Sequence, residues 1–178
     1  TTAGDPPPTV LHLFAYTGLA TLAMARSGAA VTHVDSARPS VAWARRNADL
    51  SGLADRPIRW IVDDARAFAE RESRRGRRYI GLVLDPPTYG HGAGRRAWRI
   101  ETDLEPLLAV CARTLDPGAF VLLTAHTPTL GPDELGDALV RSMRVRPSSV
   151  EAGPLSLTAV DGRQLELGSF ARSAGTPG

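Results

Sequence analysis

The stretch that decides the fold is "TVLHLFAYTGLATLAMARSGAAVTHVD", residues Thr9 to Asp35. It opens on the apolar run "TVLHLFAY", rich in residues that favour strands. Gly18 then begins "GLATLAMARSGA", whose apolar spacing suits a helix closed near Gly28. A second strand-like run, "AVTHVD", follows at once. Strand, helix, strand is a βαβ unit, and a crossover of that kind makes the two strands parallel.

The alternation continues downstream. "SARPSVAWARRNADLSGL" reads as a helix with Ser40 as N-cap and Gly52 near the C-cap. "PIRWIV" is a third strand and "DARAFAERESRRG" its helix, with acids early and arginines late, as the helix dipole favours. "YIGLVL" is the fourth strand. It ends on "DPPTYGHG", a double proline followed by a glycine-rich loop. Beyond it "TDLEPLLAVCARTL" is helical, "AFVLLTAH" is a fifth strand and "GPDELGDALVRSMR" a further helix. The tail "SSVEAGPLSLTAVDGRQLELGSFAR" holds two β-like runs about a "DG" turn, the mark of a closing antiparallel pair. The expectation is an α/β, doubly wound sheet, mostly parallel, with helices on both faces. Residues 1–9 read as a flexible leader, 10–172 as one domain and 173–178 as a flexible tail.

The chain has 178 residues, enough for one substantial core. Its 43% apolar and 22% charged content is that of an ordinary globular protein. No apolar run approaches the roughly 20 residues of a membrane helix, and "TTAGDPPPT" has no signal-peptide character. The expected setting is the cytoplasm, with no membrane partner. All 21 basic residues are arginine, and against 19 acids they leave a net charge of only +2. That balance is no nucleic-acid footprint by itself. Cys111 is the sole cysteine, which excludes an internal disulfide and a thiolate zinc cluster. It sits mid-helix among apolar neighbours and reads as core. His12, His33, His91 and His126 show no metal-ligand spacing, so no metal is expected. Nothing in the sequence sets the oligomeric state.

Three acids fall at strand ends: Asp35 after the second strand, Asp64 after the third and Asp85 after the fourth. In doubly wound sheets ligands collect at that edge, where strand order reverses. Singly, each acid could cap a turn or a helix. Together they suit an adenosine-type ligand, whose ribose diol and exocyclic amine each want an acceptor. The loop "FAYTG" narrows the ligand further. A dinucleotide needs G-x-G-x-x-G so that its pyrophosphate can approach bare backbone. Here Gly18 stands alone, with Phe14 and Tyr16 where the approach would be. S-adenosylmethionine has no pyrophosphate and tolerates such a loop. Asp35 lies 35 − 18 = 17 residues beyond Gly18, the distance at which a βαβ unit brings an acid to a ribose.

"DPP" fits a methyl acceptor that is a planar amine or ring nitrogen. Asp85 can accept its hydrogen bond, while Pro86 and Pro87 hold rigid backbone and leave their carbonyls exposed. Tyr89 can stack on a base. Beyond it, "GAGRRAW" could turn Arg95, Arg96 and Trp98 toward a polynucleotide. The run "ERESRRGRR" reads as a solvated helix end.

Taken together, "VLHLFAYTG", "VTHVDSA…AWARRNADLSGL", "IRWIVDDARAF", "LDPPTYGHG" and "LGSFAR" resemble the class I S-adenosylmethionine-dependent methyltransferases of the large-subunit ribosomal RNA type. The resemblance implies a Rossmann-like, seven-stranded sheet ending in an antiparallel hairpin. It implies that Phe14, Ala15, Tyr16, Thr17 and Gly18 line the cofactor, that Asp35 holds the ribose and Asp64 faces the adenine amine, with Ser36, Asp63 and Ala65 also in the cofactor site. Asp85, Pro86 and Pro87 would sit beside the methyl group, with Asp85 also counted among the cofactor residues and Tyr89 beside them. The implied substrate is RNA, ribosomal above all. A small-molecule methyltransferase, with "TYGHGAGRRAW" as a lid, and a non-catalytic cofactor-binding module are the other readings. His12 stands where the family usually has Asn or an acid, and Arg95 and Arg96 replace a commoner glycine and acid. Ser173 follows "FAR" where the family frequently has Trp. Relatives carry a sizeable segment ahead of the first strand, so the chain is expected to be the catalytic domain of a longer protein or a reduced member.

Overall fold

In β1 (Thr9–Leu13) the side chains alternate, so Leu11 and Leu13 enter one core while Val10 and His12 face the opposite side of the sheet. The computed structural model describes residues 6–91 and 97–174, and β1 lies at its centre. The chain continues through α1 (Leu19–Arg26), β2 (Ala30–Asp35), α2 (Arg38–Leu50), β3 (Ile58–Val62), α3 (Ala65–Arg74) and β4 (Tyr79–Leu84). A short pair, β5 (Tyr89–His91) and β6 (Ala97–Arg99), precedes α4 (Ile100–Cys111), β7 (Leu115–Ala125) and α5 (Pro132–Met143). The long hairpin β8 (Val150–Thr158) and β9 (Gln164–Ala174) closes the fold.

Seven strands form one sheet in the order β3-β2-β1-β4-β7-β9-β8, with β9 antiparallel to both its neighbours and the first five strands parallel. This is the doubly wound architecture with a terminal antiparallel hairpin that the alternation of elements predicts. The larger core joins the sheet to α3, α4 and α5 through Phe68, Leu104, Leu108, Leu135 and Leu139. On the other face Ala25 of α1 packs on Val10, Val31 and Val83, and Ala44 of α2 lies against Gly18. Strand order reverses between β1 and β4. Their register, Leu13 beside Leu84 and Val34, brings Phe14, Asp35 and Asp85 to one edge.

Two sequence expectations are corrected here. Helix α2 starts at Arg38 with Ala37 at the N-cap position, so Ser40 lies inside the first turn and caps nothing. The reason is Asp35, whose Oδ1 accepts from the Ala37 N–H at 2.8 Å and sets the turn earlier. The glycine-rich loop after the double proline also contains structure: Tyr89 to His91 pairs antiparallel with Ala97 to Arg99. Elsewhere Gly52, read from the sequence as lying near the C-cap of this helix, follows α2 with a left-handed φ of +68°. No helix among the described residues is long and apolar enough to cross a membrane.

Candidate active site

The loop after β1 is under strain. Phe14 and Tyr16 both have positive φ, 54° and 46°, a region that aromatic side chains avoid. The surroundings impose it. Ala15 N–H donates to the Val34 carbonyl at 3.1 Å, and Tyr16 N–H donates to Asp35 Oδ2 at 2.8 Å. Asp35 thus spends one contact per oxygen on backbone and keeps a further lone pair on each. Gly18 ends the loop at φ +90°, and a side chain there would press on Ala44. The Thr17 carbonyl is tied to α2 by Asn47 Nδ2 at 3.0 Å.

Beside this loop lies a shallow, open cleft. Of the residues predicted for the cofactor, Phe14, Asp35, Ser36, Asp63, Asp64 and Ala65 line it. Pro87, predicted for catalysis, lines it too. Ala15 to Gly18 shape the loop from behind and outside, with Ala15 buried and Tyr16 exposed. Asp63 is committed to structure: its Oδ1 accepts from Asp64 N–H and its Oδ2 pairs with Arg71. Asp64 caps α3, accepting from Ala67 N–H at 2.9 Å on Oδ1. Its Oδ2 has no protein partner among the described residues.

Trp98, a residue that could face a polynucleotide on the sequence reading, turns into the cleft. It is half-buried, lines the cleft and packs on Phe14 with ring centroids 5.0 Å apart. Its indole N–H donates to the Pro87 carbonyl at 2.7 Å. The expectation that both proline carbonyls stay open therefore fails at Pro87. The β5–β6 pair is what folds Trp98 back over the cleft, and sequence reasoning missed that role. An unpaired indole close behind a double proline was the available signal. Arg95 and Arg96 lie outside the described residues.

Asp85 follows β4, with its carboxylate half exposed. Thr124 Oγ1 donates to its Oδ1 at 2.7 Å, and His126 Nε2 lies 3.3 Å from the same oxygen. The other oxygen has no protein partner among the described residues. Pro86 is buried while Tyr89 is 80% exposed. Cys111 is fully buried in α4, and burial pushes its thiol up to about 12, so it supplies no thiolate.

Beneath the loop, on the α1 face, a buried chain joins His12 Nδ1, Thr21 Oγ1 and His33 Nδ1 at 2.7 and 2.9 Å. His12 therefore hydrogen-bonds within the protein, away from the cleft. A hydroxyl has one proton, so at least one Nδ1 donates to it. His33 Nε2 is buried without a hydrogen-bond partner and its ring lies 4.9 Å from that of Trp60. Burial lowers His12 to about 3, with the charge of His33 adding to the effect. Burial also lowers His33 to about 4, partly offset by Asp35 and the Tyr16 backbone. Among the described residues no group of three His, Cys, Asp or Glu side chains is placed to hold a metal ion.

The geometry has clear relatives. A crystal structure of the SAM-dependent methyltransferase from Agrobacterium tumefaciens superposes with a TM-score of 0.87 at 36% identity, over 96% of this chain and 57% of that one. A putative SAM-dependent methyltransferase from Streptococcus mutans shares the fold, at a TM-score of 0.75 and 17% identity over 96% of this chain and 46% of the other. Ribosomal RNA large subunit methyltransferase K/L of Methylococcus capsulatus is 36% identical over 126 residues, 70% of this chain. The chain belongs to the class I S-adenosylmethionine-dependent methyltransferases. Within these methyltransferases its sequence is similar to the large-subunit ribosomal RNA type. The K/L protein of Shewanella loihica is 28% identical over 160 residues, 89% of this chain. The chain spans only 17% and 20% of the length of these two curated relatives. No family model matches it.

Proposed function

We propose that this methyltransferase domain binds S-adenosylmethionine in the Phe14–Trp98 cleft and methylates a nitrogen of an RNA base. The cleft residues fit the cofactor. Asp35 offers spare lone pairs for ribose hydroxyls, Asp64 Oδ2 is open for an amine, and Phe14, Val34 and Ala65 give an apolar bed for a purine. When bound, the cofactor supplies an activated methyl group on a sulfonium.

The observation that carries the reading is Asp85. One oxygen is held by Thr124 of β7 and by His126 just beyond it, and the other is left open beside the rigid prolines. A fixed carboxylate of that kind orients an acceptor N–H and opposes the positive charge that reaches nitrogen as the methyl arrives. Carbon-5 methylation of cytosine needs a cysteine that adds to the ring. Cys111 is buried and protonated, and His126 occupies the position after β7. The acceptor is accordingly a nitrogen. Exposed Tyr89 offers a stacking face, and the names of the curated relatives support RNA as the substrate.

Two measurements test this. Methyl-labelled S-adenosylmethionine is incubated with the protein and ribosomal RNA lacking the modification. RNA becomes labelled, and RNA affinity falls linearly in log–log form with salt. Label appearing only in small molecules would defeat the RNA reading. In calorimetry, Asp35→Ala weakens S-adenosylhomocysteine by roughly 1–3 kcal/mol, because it removes ribose acceptors and the bond that holds Tyr16. Wild type that binds NADH and ignores S-adenosylhomocysteine would refute the cofactor assignment.

A further inference from the structure

Two prolines in a row donate no backbone N–H, so the turn after β4 cannot brace itself with its own donors and is held through its acceptors. Asp85 Oδ1 is held by Thr124 and His126, the Thr88 carbonyl accepts from Ile100 N–H at 3.0 Å, and the Pro87 carbonyl accepts from the Trp98 indole N–H at 2.7 Å. Thr124 belongs to β7, and Ile100 is buried at the start of α4. Trp98 differs from them, because its ring lines the cleft and packs on Phe14. It is carried on a firm mount. β6 runs directly into α4, Arg99 N–H donates to Asp103 Oδ2 at 2.9 Å, and Gly90 stands opposite Trp98 in the ladder. The backbone is thus fixed while the half-buried ring meets whatever occupies the cleft.

We propose that Trp98 is a positioning residue that couples the cofactor to the acceptor turn. The inference rests on the cofactor and acceptor readings given above. A purine on the bed of Phe14, Val34 and Ala65 shares the cleft with the indole, so it packs against that ring and takes water away from it. Phe14, held at φ 54°, presents the ring against which the indole is fixed from its other side. Water that competes for the Pro87 carbonyl is then excluded, and the indole N–H bond to that carbonyl strengthens as its surroundings become less polar. The turn that carries Asp85 is therefore held hardest when the methyl donor is in place. An acceptor base meets an ordered turn in the loaded enzyme and a looser one in the empty enzyme, which favours cofactor first and base second. By thermodynamic reciprocity, a base bound at the turn tightens the cofactor by the same factor.

The test compares wild type with Trp98→Phe, which keeps a ring against Phe14 and removes the N–H. Cofactor affinity is read by calorimetry with S-adenosylhomocysteine, and single-turnover transfer to ribosomal RNA lacking the modification is followed at saturating S-adenosylmethionine. Affinity changes little, whereas transfer slows at least about tenfold, because a misplacement of about 1 Å at the reacting centre costs on the order of 10²-fold. Normal transfer in the variant overturns the proposal. Weakened affinity with normal transfer at saturation overturns it too, by making Trp98 a cofactor contact alone. A second arm needs neither a variant nor turnover. In protein labelled with nitrogen-15 and carbon-13, the Trp98 indole signal is identified by its through-space contacts with the Phe14 ring. S-adenosylhomocysteine slows exchange of the indole hydrogen with water and preserves the coupling across its hydrogen bond to the Pro87 carbonyl carbon. Exchange left unchanged, or that coupling lost on binding, overturns the proposal and leaves the cofactor assignment standing. Wild type that binds S-adenosylhomocysteine yet labels no RNA defeats the RNA reading, and the indole signal then decides alone. Wild type that ignores S-adenosylhomocysteine defeats the cofactor assignment and this inference with it.

Discussion

Asp85→Asn is expected to slow single-turnover methyl transfer on the order of 10²-fold or more, with cofactor affinity nearly unchanged. Asparagine keeps the outline of the side chain. Its carbonyl oxygen can still accept from Thr124 Oγ1, so the tie between β4 and β7 survives. Its amide NH2 then falls where the open carboxylate oxygen stood. A donor would face the N–H of the acceptor, and the negative charge opposing the developing positive charge would be gone. On the proposed cofactor site, affinity rests on groups at other strand ends, Asp35 closing β2 and Asp64 after β3. If "DPP" were only a strand terminator, asparagine would be mild, since it suits turns as well as aspartate does. Parallel measurement of S-adenosylhomocysteine binding and of transfer decides the matter. Near-normal transfer in Asp85→Asn would return this stretch to a structural turn.

The acids at the strand ends were legible because the period-2 runs marked where each strand stopped, and an acid just past that point needs no tertiary information to place. The terminal hairpin was legible too, from "DG" between two β-like runs. What the sequence hid depends on contacts between distant segments. Phe14 and Tyr16 adopt a conformation their side chains disfavour, and only the bonds from Asp35 and Val34 hold them there. The β5–β6 pair has three residues a side, too short for any periodicity to show. Its effect, placing Trp98 over Phe14 and on the Pro87 carbonyl, is a matter of three-dimensional return. Ser40 misled because a good capping residue sat near a helix start that Asp35 had already set, with the N-cap at Ala37. His126 carried no motif at all. Its place beside Asp85 is set from β9, where the Leu167 carbonyl, 41 residues away in sequence, meets its Nδ1.

Acid should weaken the fold well before the carboxylates titrate, and the cause is the His12–Thr21–His33 chain. The register pairs His12 with His33 on neighbouring strands, and Thr21 bridges them from α1. Both imidazoles are held neutral, lowered to about 3 and about 4 respectively, while in the unfolded chain each protonates near the ordinary histidine value of 6.5. Between those limits the unfolded state binds more protons than the folded one, so stability rises with pH and is lost as pH falls below 6.5. Each histidine contributes a slope of about 1.4 kcal/mol per pH unit. From pH 6.5 to pH 5 the pair should remove about 3 kcal/mol, since the full slope is reached only below 6.5, and that is a large share of a typical 5–15 kcal/mol. Glu72, buried with Tyr79 and Arg59, is lowered from 4.5, so its loss falls at still lower pH and does not enter this window. Urea midpoints measured across the window should show the slope, and His12→Asn, which keeps a polar partner for Thr21 but cannot titrate, should remove roughly half of it. An unchanged slope in that variant would mean that the buried pair does not govern acid stability. Because the chain lies directly under Phe14 to Gly18, loss of S-adenosylhomocysteine binding should accompany the stability loss in wild type, the strained loop having no support once the imidazoles charge and separate.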